Sequence, residues 1–166
     1  MNYAVIGYPV KHTLSPVIHN ANFKALNIDA DYKALEIKPE ALGNIRALVN
    51  EHRLSGFNVT VPHKENIMKY LDHIAPAAEK IGAVNTVHVK NGKYYGYNTD
   101  VTGYMKAFND AFGLKKRHIL ILGAGGAAKA VHRAHADNGD EVTVMARRAE
   151  SFDSFKTTDF NRLLNT

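Results

Sequence analysis

Residues 118–122 read His118-Ile119-Leu120-Ile121-Leu122 and run directly into Gly123-Ala124-Gly125-Gly126-Ala127-Ala128. No other stretch restricts the fold as much. The apolar run predicts a short buried strand. The alanine-rich segment after it, closed by Gly139, predicts a helix. Gly123, Gly125 and Ala128 fit G-x-G-x-x-G/A at that strand-to-helix junction. There the first glycine permits a tight turn and the second lets a pyrophosphate approach the backbone. The small third residue lets helix and strand pack closely. The N–H groups at the helix start suit a phosphate. Glu141 to Ala146 predicts a second strand and completes a βαβ unit. Gly123, Ala124, Gly125, Gly126, Ala127 and Ala128 are thus candidate dinucleotide contacts. Arg147 and Arg148 follow the second strand, where an acidic residue would suit free ribose hydroxyls. Two arginines favour a 2′-phosphate by charge and bidentate geometry, which selects NADP over NAD.

The chain before this unit has a different character. Tyr3 to Gly7 predicts a buried strand. Ser15-Pro16 predicts a helix start with Ser15 as N-cap, and Ile18, Ala21, Ala25 and Leu26 give that helix an apolar face. Tyr32 to Ile37 and Phe57 to Val61 read as strands. Leu42, Ile45, Leu48 and Val49 mark a helix, and another is expected from Lys64 to Leu71. Asn91-Gly92 between Thr86–Val89 and Tyr94–Tyr97 predicts a hairpin. Val101, Tyr104, Met105, Phe108 and Phe112 share one helical face, and Gly113 to Arg117 forms a joint. The fold class is therefore α/β: a mainly parallel first domain over 1–101, a connecting helix and joint over 102–117, and a partial nucleotide unit over 118–166.

Composition narrows the chemistry. The 166 residues contain no cysteine, which excludes a disulfide scaffold, a cysteine nucleophile and a Cys-ligated zinc site. The net charge of +5 suits an anionic ligand as well as a polyanion. Lys115-Lys116-Arg117 is the only basic run of three and reads as solvated surface, so no nucleic-acid partner is expected. No apolar run reaches the ~18 residues of a membrane span, and the start has no signal-peptide pattern. A cytoplasmic location is expected. His132 and His135 are three apart on a helix, but no His-Glu-x-x-His or third ligand accompanies them, so no metal is assigned.

Four polar strings precede the joint: His12-Thr13-Leu14-Ser15-Pro16, Asn58-Val59-Thr60-Val61-Pro62-His63-Lys64, Gly82-Ala83-Val84-Asn85-Thr86 and Tyr97-Asn98-Thr99-Asp100. Their hydroxyls, amides, amine and carboxylate suit a polyhydroxylated acid. In this order, and followed by Gly-Ala-Gly-Gly-Ala, they resemble the shikimate dehydrogenase family from the first strand to about Arg148. That resemblance implies an N-terminal α/β substrate-binding domain and a Rossmann domain for NADP. The implied reaction interconverts 3-dehydroshikimate and shikimate in aromatic amino-acid biosynthesis. It implies Lys64 and Asp100 as the catalytic pair, with Thr13, Ser15, Asn58, Thr60 and Asn85 as further substrate contacts. It also makes Gly123 to Ala128 the pyrophosphate loop and Arg147 the 2′-phosphate clamp.

The chain departs from the family pattern at several places. Thr13 replaces the usual serine, Val101 replaces a common glycine, and Ala146-Arg147-Arg148 replaces Asn-Arg-Thr. Thr13 keeps open a broader shikimate/quinate dehydrogenase. The segment from Ser151 to Thr166, with Phe160, Leu163 and Leu164, is too short for the remaining strands of a doubly wound domain. A truncated chain that binds substrate without turnover is therefore the other alternative. A two-strand parallel sheet would leave open edges through which the chain could pair into a homodimer.

Overall fold

The computed structural model describes residues 1–146 and, by their backbone, 157–159. Arg147 and Arg148, and the phenylalanines and leucines expected after Ser151, lie outside the described residues. The chain divides into two units, Met1–Asn98 and Thr99–Thr166.

The first unit carries β1 (Asn2–Gly7), α1 (Ser15–Ala25), β2 (Asp31–Glu36), α2 (Ile45–Glu51), β3 (Leu54–Val59), β4 (His73–Ile74), α3 (Pro76–Ile81), β5 (Thr86–Lys90) and β6 (Lys93–Tyr97). The sheet order is β2-β1-β3-β5-β6-β4. β1 runs parallel to β2 and β3, and β4 parallel to β6; β5 is antiparallel to both its neighbours. The chain is thus α/β with a mainly parallel sheet.

Alternation along β1 explains the layers. Ala4 and Ile6 join the main core with Ile45, Val49, Phe57, Val59, Ile67, Val84 and Val87. Val5 points to the other face with Val10 and Tyr32, where Tyr3 and Phe23 pack against them. A central strand buried on both faces reads as a continuous apolar run, as Tyr3 to Ile6 does. Burying one side chain such as Ile6 or Ile45 completely contributes about 1.5–3 kcal/mol.

The Asn91-Gly92 hairpin forms as expected, with both residues at positive φ (52° and 71°) and Lys90 opposite Lys93. Three expectations need correction. The segment after Lys64 makes only a 3-10 helix, Asn66–Tyr70, not an α-helix to Leu71. Ser15 is the first residue of α1, not its cap: Leu14 caps it, and the Ser15 N–H donates to Thr13 Oγ1 at 3.2 Å.

The apolar stripe of α1 is also reversed. Ile18, Ala21, Ala25 and Leu26 are exposed, whereas His19, Asn20 and Phe23 are partly buried. The cause is edge strand β2. Asn20 Nδ2 donates to the Tyr32 carbonyl and Asn20 Oδ1 accepts the Tyr32 N–H, both at 2.9 Å. Those backbone groups would otherwise be unpaired at a sheet edge. The His19 ring stacks on Tyr32 at 4.2 Å and Phe23 tilts against Tyr3.

The second unit holds α4 (Asp100–Phe112), β7 (His118–Leu122), α5 (Gly126–Asn138), β8 (Glu141–Ala146) and β9 (Thr157–Asp159). All three strands are parallel in the order β7-β8-β9. The expectation of two strands is corrected, since Thr157–Asp159 adds a third. Three residues show no periodicity from which a strand can be read. Ala124 and Ala128 pack against Ile121 and Val144 beneath the glycine turn.

A buried polar cluster ties α4 to α5. His135 Nδ1–H donates to Asp140 at 2.6 Å, and His135 Nε2 lies 2.7 Å from the Tyr104 hydroxyl. Asp140 also accepts from Asn138 Nδ2 and from the Arg117 N–H. The His135 hydrogen bond and then that from Asn138 hold the Asp140 carboxyl down at about 2. A depressed carboxylate stabilises the fold above its unfolded value of about 4, and that contribution is lost as pH falls through the folded value. The second unit should therefore lose stability between about pH 4 and 2, and Asp140→Asn should flatten that limb in an acid titration followed by circular dichroism.

Candidate functional site

In the first unit, one edge of the sheet collects the polar strings. β1 and β3 end there, β5 begins there because it runs the other way, and β6 ends there. Thr13 and Ser15 follow β1, Asn58 lies near the end of β3 and Thr60 just after it, Lys64 follows them, Asn85 precedes β5 and Asn98 follows β6. Open α/β sheets bind ligands at the carboxyl ends of their strands.

Local hydrogen bonds set each residue. Thr13 Oγ1 donates to Ser15 Oγ at 3.0 Å, pairing the two hydroxyls. The Thr60 N–H donates to the Ile6 carbonyl, and the Val59 N–H to the Asn85 carbonyl at 2.8 Å. Lys64 is held through its backbone, its carbonyl accepting the Val84 N–H at 2.8 Å. Beside it His63, fully buried, places Nε2 at 2.6 Å from the Ile37 carbonyl. Asn98 Nδ2 donates to the Ala83 carbonyl.

Gly7 is required by crowding. A Cβ there would collide with Thr60 Cγ2 and sit 3.0 Å from the Val61 carbonyl oxygen. That oxygen also accepts the Tyr8 N–H, so it cannot yield freely. Overpacking of this kind costs about 1–3 kcal/mol. Gly7→Ala should lower the melting temperature of the first unit by several degrees and displace Thr60, which thermal unfolding and the Thr60 methyl resonance would report.

Asp100 lies in the second unit, as the first residue of α4 after Thr99. Thr99, not Asp100, occupies the cap, and Asp100 is the acidic residue of the first turn, where negative charge suits the helix N-terminus. The glycine turn sits between β7 and α5. Gly123 has φ 111°, a value open to glycine, and its N–H donates to the Met145 carbonyl at 2.7 Å. Gly125 is extended, with φ −79° and ψ 179°, and among the described residues a Cβ on it would meet no atom within 4 Å. No contact with the described residues demands glycine there; the space before the first turn of α5 matches what an approaching pyrophosphate needs. Ala124 and Ala128 supply the tight packing behind it.

Tyr32, which donates to Asn58 Oδ1, His63, which is anchored on the Ile37 carbonyl, and Thr86, which accepts from Asn58 Nδ2, support this edge without a signal in the sequence. His63 and Thr86 stand inside the polar strings, and nothing marks them there as supports. Tyr32 lies on β2, far in sequence from the strings, so no local signal points to it.

The chain has well-defined relatives. Residues 5–87, half of the chain, match the family of the shikimate dehydrogenase substrate binding domain. The shikimate dehydrogenase (NADP(+)) of Staphylococcus haemolyticus is 49% identical over 162 residues, covering 97% of this chain and 60% of that protein. The crystal structure of shikimate dehydrogenase 1 from Peptoclostridium difficile superposes with a TM-score of 0.90 at 37% identity, covering 99% of this chain and 62% of that one. Shikimate 5-dehydrogenase from Thermus thermophilus, crystallised with NADP(H) and shikimate, gives 0.83 at 38% identity, covering 95% and 62%. The chain thus spans about three-fifths of the length of these relatives. With the glycine turn, the mixed sheet and the polar edge all in place, the chain belongs to the shikimate dehydrogenase family.

Proposed function

We propose that this chain supplies the substrate-binding unit and the first part of the nucleotide unit of an NADP-dependent oxidoreductase that interconverts 3-dehydroshikimate and shikimate. The observation that carries it is the convergence of Thr13, Ser15, Asn58, Thr60, Lys64 and Asn85 on one sheet edge of the domain that matches the family. The relatives' names, and the Thermus thermophilus complex with both ligands, support the substrate and the cofactor.

When bound, NADP(H) supplies or accepts the hydride. Gly123, Gly125 and the first turn of α5 would hold its pyrophosphate, with Arg147 and Arg148 assigned to the 2′-phosphate. The rest is proton handling by this chain's residues. Reduction of the ketone leaves an oxygen that must gain a proton, and oxidation requires that proton to leave. Lys64 is assigned that transfer as general acid or base, a role that requires its amine to come within hydrogen-bond reach of the reacting oxygen. Asp100 is assigned as the accompanying carboxylate on the strength of its motif. The hydroxyls of Thr13 and Ser15, the amides of Asn58 and Asn85 and the hydroxyl of Thr60 hold the ring substituents. We place the reaction in the cytoplasm. Pairing into a homodimer is the one protein contact we include.

The test is shikimate-dependent reduction of NADP by the 166-residue chain, followed by NADPH absorbance, with quinate run alongside. Turnover on shikimate supports the proposal, and comparable turnover on quinate broadens it. Shikimate binding without turnover assigns the chemistry to a longer polypeptide. Neither binding nor turnover by the folded chain defeats it.

A further inference from the structure

Between Val59 and Ile67 a single residue is buried. Thr60 and Lys64 are partly buried, Val61, Pro62, Glu65 and Asn66 are exposed, and His63 is 1% exposed. An apolar residue would fill that position at less cost, because a buried imidazole must recover the hydrogen bonds it gave up in water. His63 recovers one on the end of another strand. Its Nε2 lies 2.6 Å from the carbonyl of Ile37, the residue just past β2. A carbonyl only accepts, so Nε2 carries the proton and donates. Ile37 is itself buried, and its N–H already donates to the Gly7 carbonyl at 3.0 Å. The ring gives the Ile37 carbonyl a donor where the β2 ladder has ended.

That bond closes a circuit around the ends of three strands. The Thr60 N–H donates to the Ile6 carbonyl and the Tyr8 N–H to the Val61 carbonyl, tying the segment after β3 to β1. Ile37 and Gly7 tie β2 to β1, and the His63 N–H donates to the Thr60 carbonyl at 2.9 Å. Every link of this circuit is backbone to backbone except the His63 ring. The backbone bonds fix the two ends of the segment: Thr60 and Val61 against β1, and the Lys64 carbonyl on the Val84 N–H. The bonds of His63 to Thr60 and of Ile67 to His63 are local turns that travel with the segment. The ring bond relates its middle to β2. Lys64 follows the ring directly, and Thr60 stands three residues before it.

We infer that His63 is a positioning residue: through the Ile37 carbonyl it sets where the Thr60–Lys64 segment stands against β2, and so where Lys64 meets the substrate. The inference rests on the substrate reading above for what Lys64 does, but not for the tether itself. His63 need not touch the ligand. An apolar side chain in place of the ring leaves the buried Ile37 carbonyl without its donor, and the segment shifts to let water reach it.

The test uses the full 166-residue chain carrying His63→Leu, His63→Gln or His63→Asn. Leucine keeps apolar bulk and removes the donor. The glutamine amide nitrogen reaches about as far from the backbone as Nε2 and can donate to the same carbonyl, whereas the asparagine amide is one methylene short. Amide hydrogen exchange is read without ligand, and shikimate affinity is read by calorimetry. In His63→Leu and His63→Asn the Ile67 and Val84 N–H groups, which donate to the His63 and Lys64 carbonyls, should exchange about tenfold faster. The Tyr32 and Val49 N–H groups, on β2 and α2, should keep their rates. Shikimate should bind about tenfold more weakly, and His63→Gln should restore both readouts. Unchanged exchange at Ile67 and Val84 in His63→Leu overturns the inference whether or not shikimate binds. Equal acceleration at all four amides also overturns it, because the ring would then serve general stability. So does measurable shikimate binding that His63→Leu leaves unchanged, or exchange in His63→Gln as fast as in His63→Asn. Should His63→Leu not fold, the glutamine and asparagine variants decide on the same readouts. A wild-type chain that binds no shikimate, with local acceleration in His63→Asn reversed in His63→Gln, upholds the tether and removes the substrate reading instead.

Discussion

Lys64→Ala should lower turnover by about 10²–10⁴-fold, the range expected when a positioned acid–base group is removed. Folding should be spared. The loop that carries Lys64 is held by groups the substitution leaves intact: the Lys64 carbonyl on the Val84 N–H, the His63 carbonyl on the Ile67 N–H, and the His63 ring on the Ile37 carbonyl. Lys64 is also only partly buried, so truncation opens no sealed core cavity. Turnover by NADPH absorbance and thermal unfolding of the same sample separate the two effects. Near-normal turnover would remove Lys64 from the chemistry. Lost turnover with an equally large fall in melting temperature would make it structural.

Gly125→Val should weaken NADP binding by about 100-fold, or about 2.7 kcal/mol, with little change in the fold. The two outcomes separate because of where Gly125 sits. Its φ of −79° is open to any residue, and among the described residues a Cβ there meets no atom within 4 Å. The protein loses no more than the difference between a glycine and a valine cap on α5, about 1 kcal/mol. A pyrophosphate approaching the first turn of that helix would meet the branched side chain instead. Cofactor titration with melting temperature as control decides it. Unchanged NADP affinity would place the nucleotide elsewhere, and a collapse of stability would mean that the turn needs glycine for its own packing. Gly123, at φ 111°, is the position where collapse is expected on substitution.

Short-range patterns were legible without the fold. The glycine turn is one, because a strand, three small residues and a helix lie contiguous in sequence. The Asn91-Gly92 hairpin is another, since positive φ at two adjacent residues is a local demand that Asn and Gly meet. The four polar strings could be seen as strings. Their order and spacing carried the family resemblance, and with it the candidate residues. Where local rules competed with tertiary contacts, the reading failed. The spacing of Ile18, Ala21, Ala25 and Leu26 predicts the buried face of α1, yet Asn20 and His19 face the sheet because edge strand β2 needs its Tyr32 backbone groups paired. Ser15 looked like a cap, yet Thr13 takes its N–H. Strand β9 has too few residues to carry a period.

The α/β class, the glycine turn and the inventory of polar groups are legible in the chain alone, because each depends on residues within a few positions of one another. The folded sheet decided that β5 reverses direction and so delivers Asn85 to the same edge as Asn58 and Lys64. It also decided that Tyr32, 26 residues before Asn58 in the chain, reaches it with a hydrogen bond. Strand order is a long-range pairing. It is set by the burial of Ala4, Ile6, Phe57, Val59 and Val87 in one core, and no local spacing encodes which strands become neighbours.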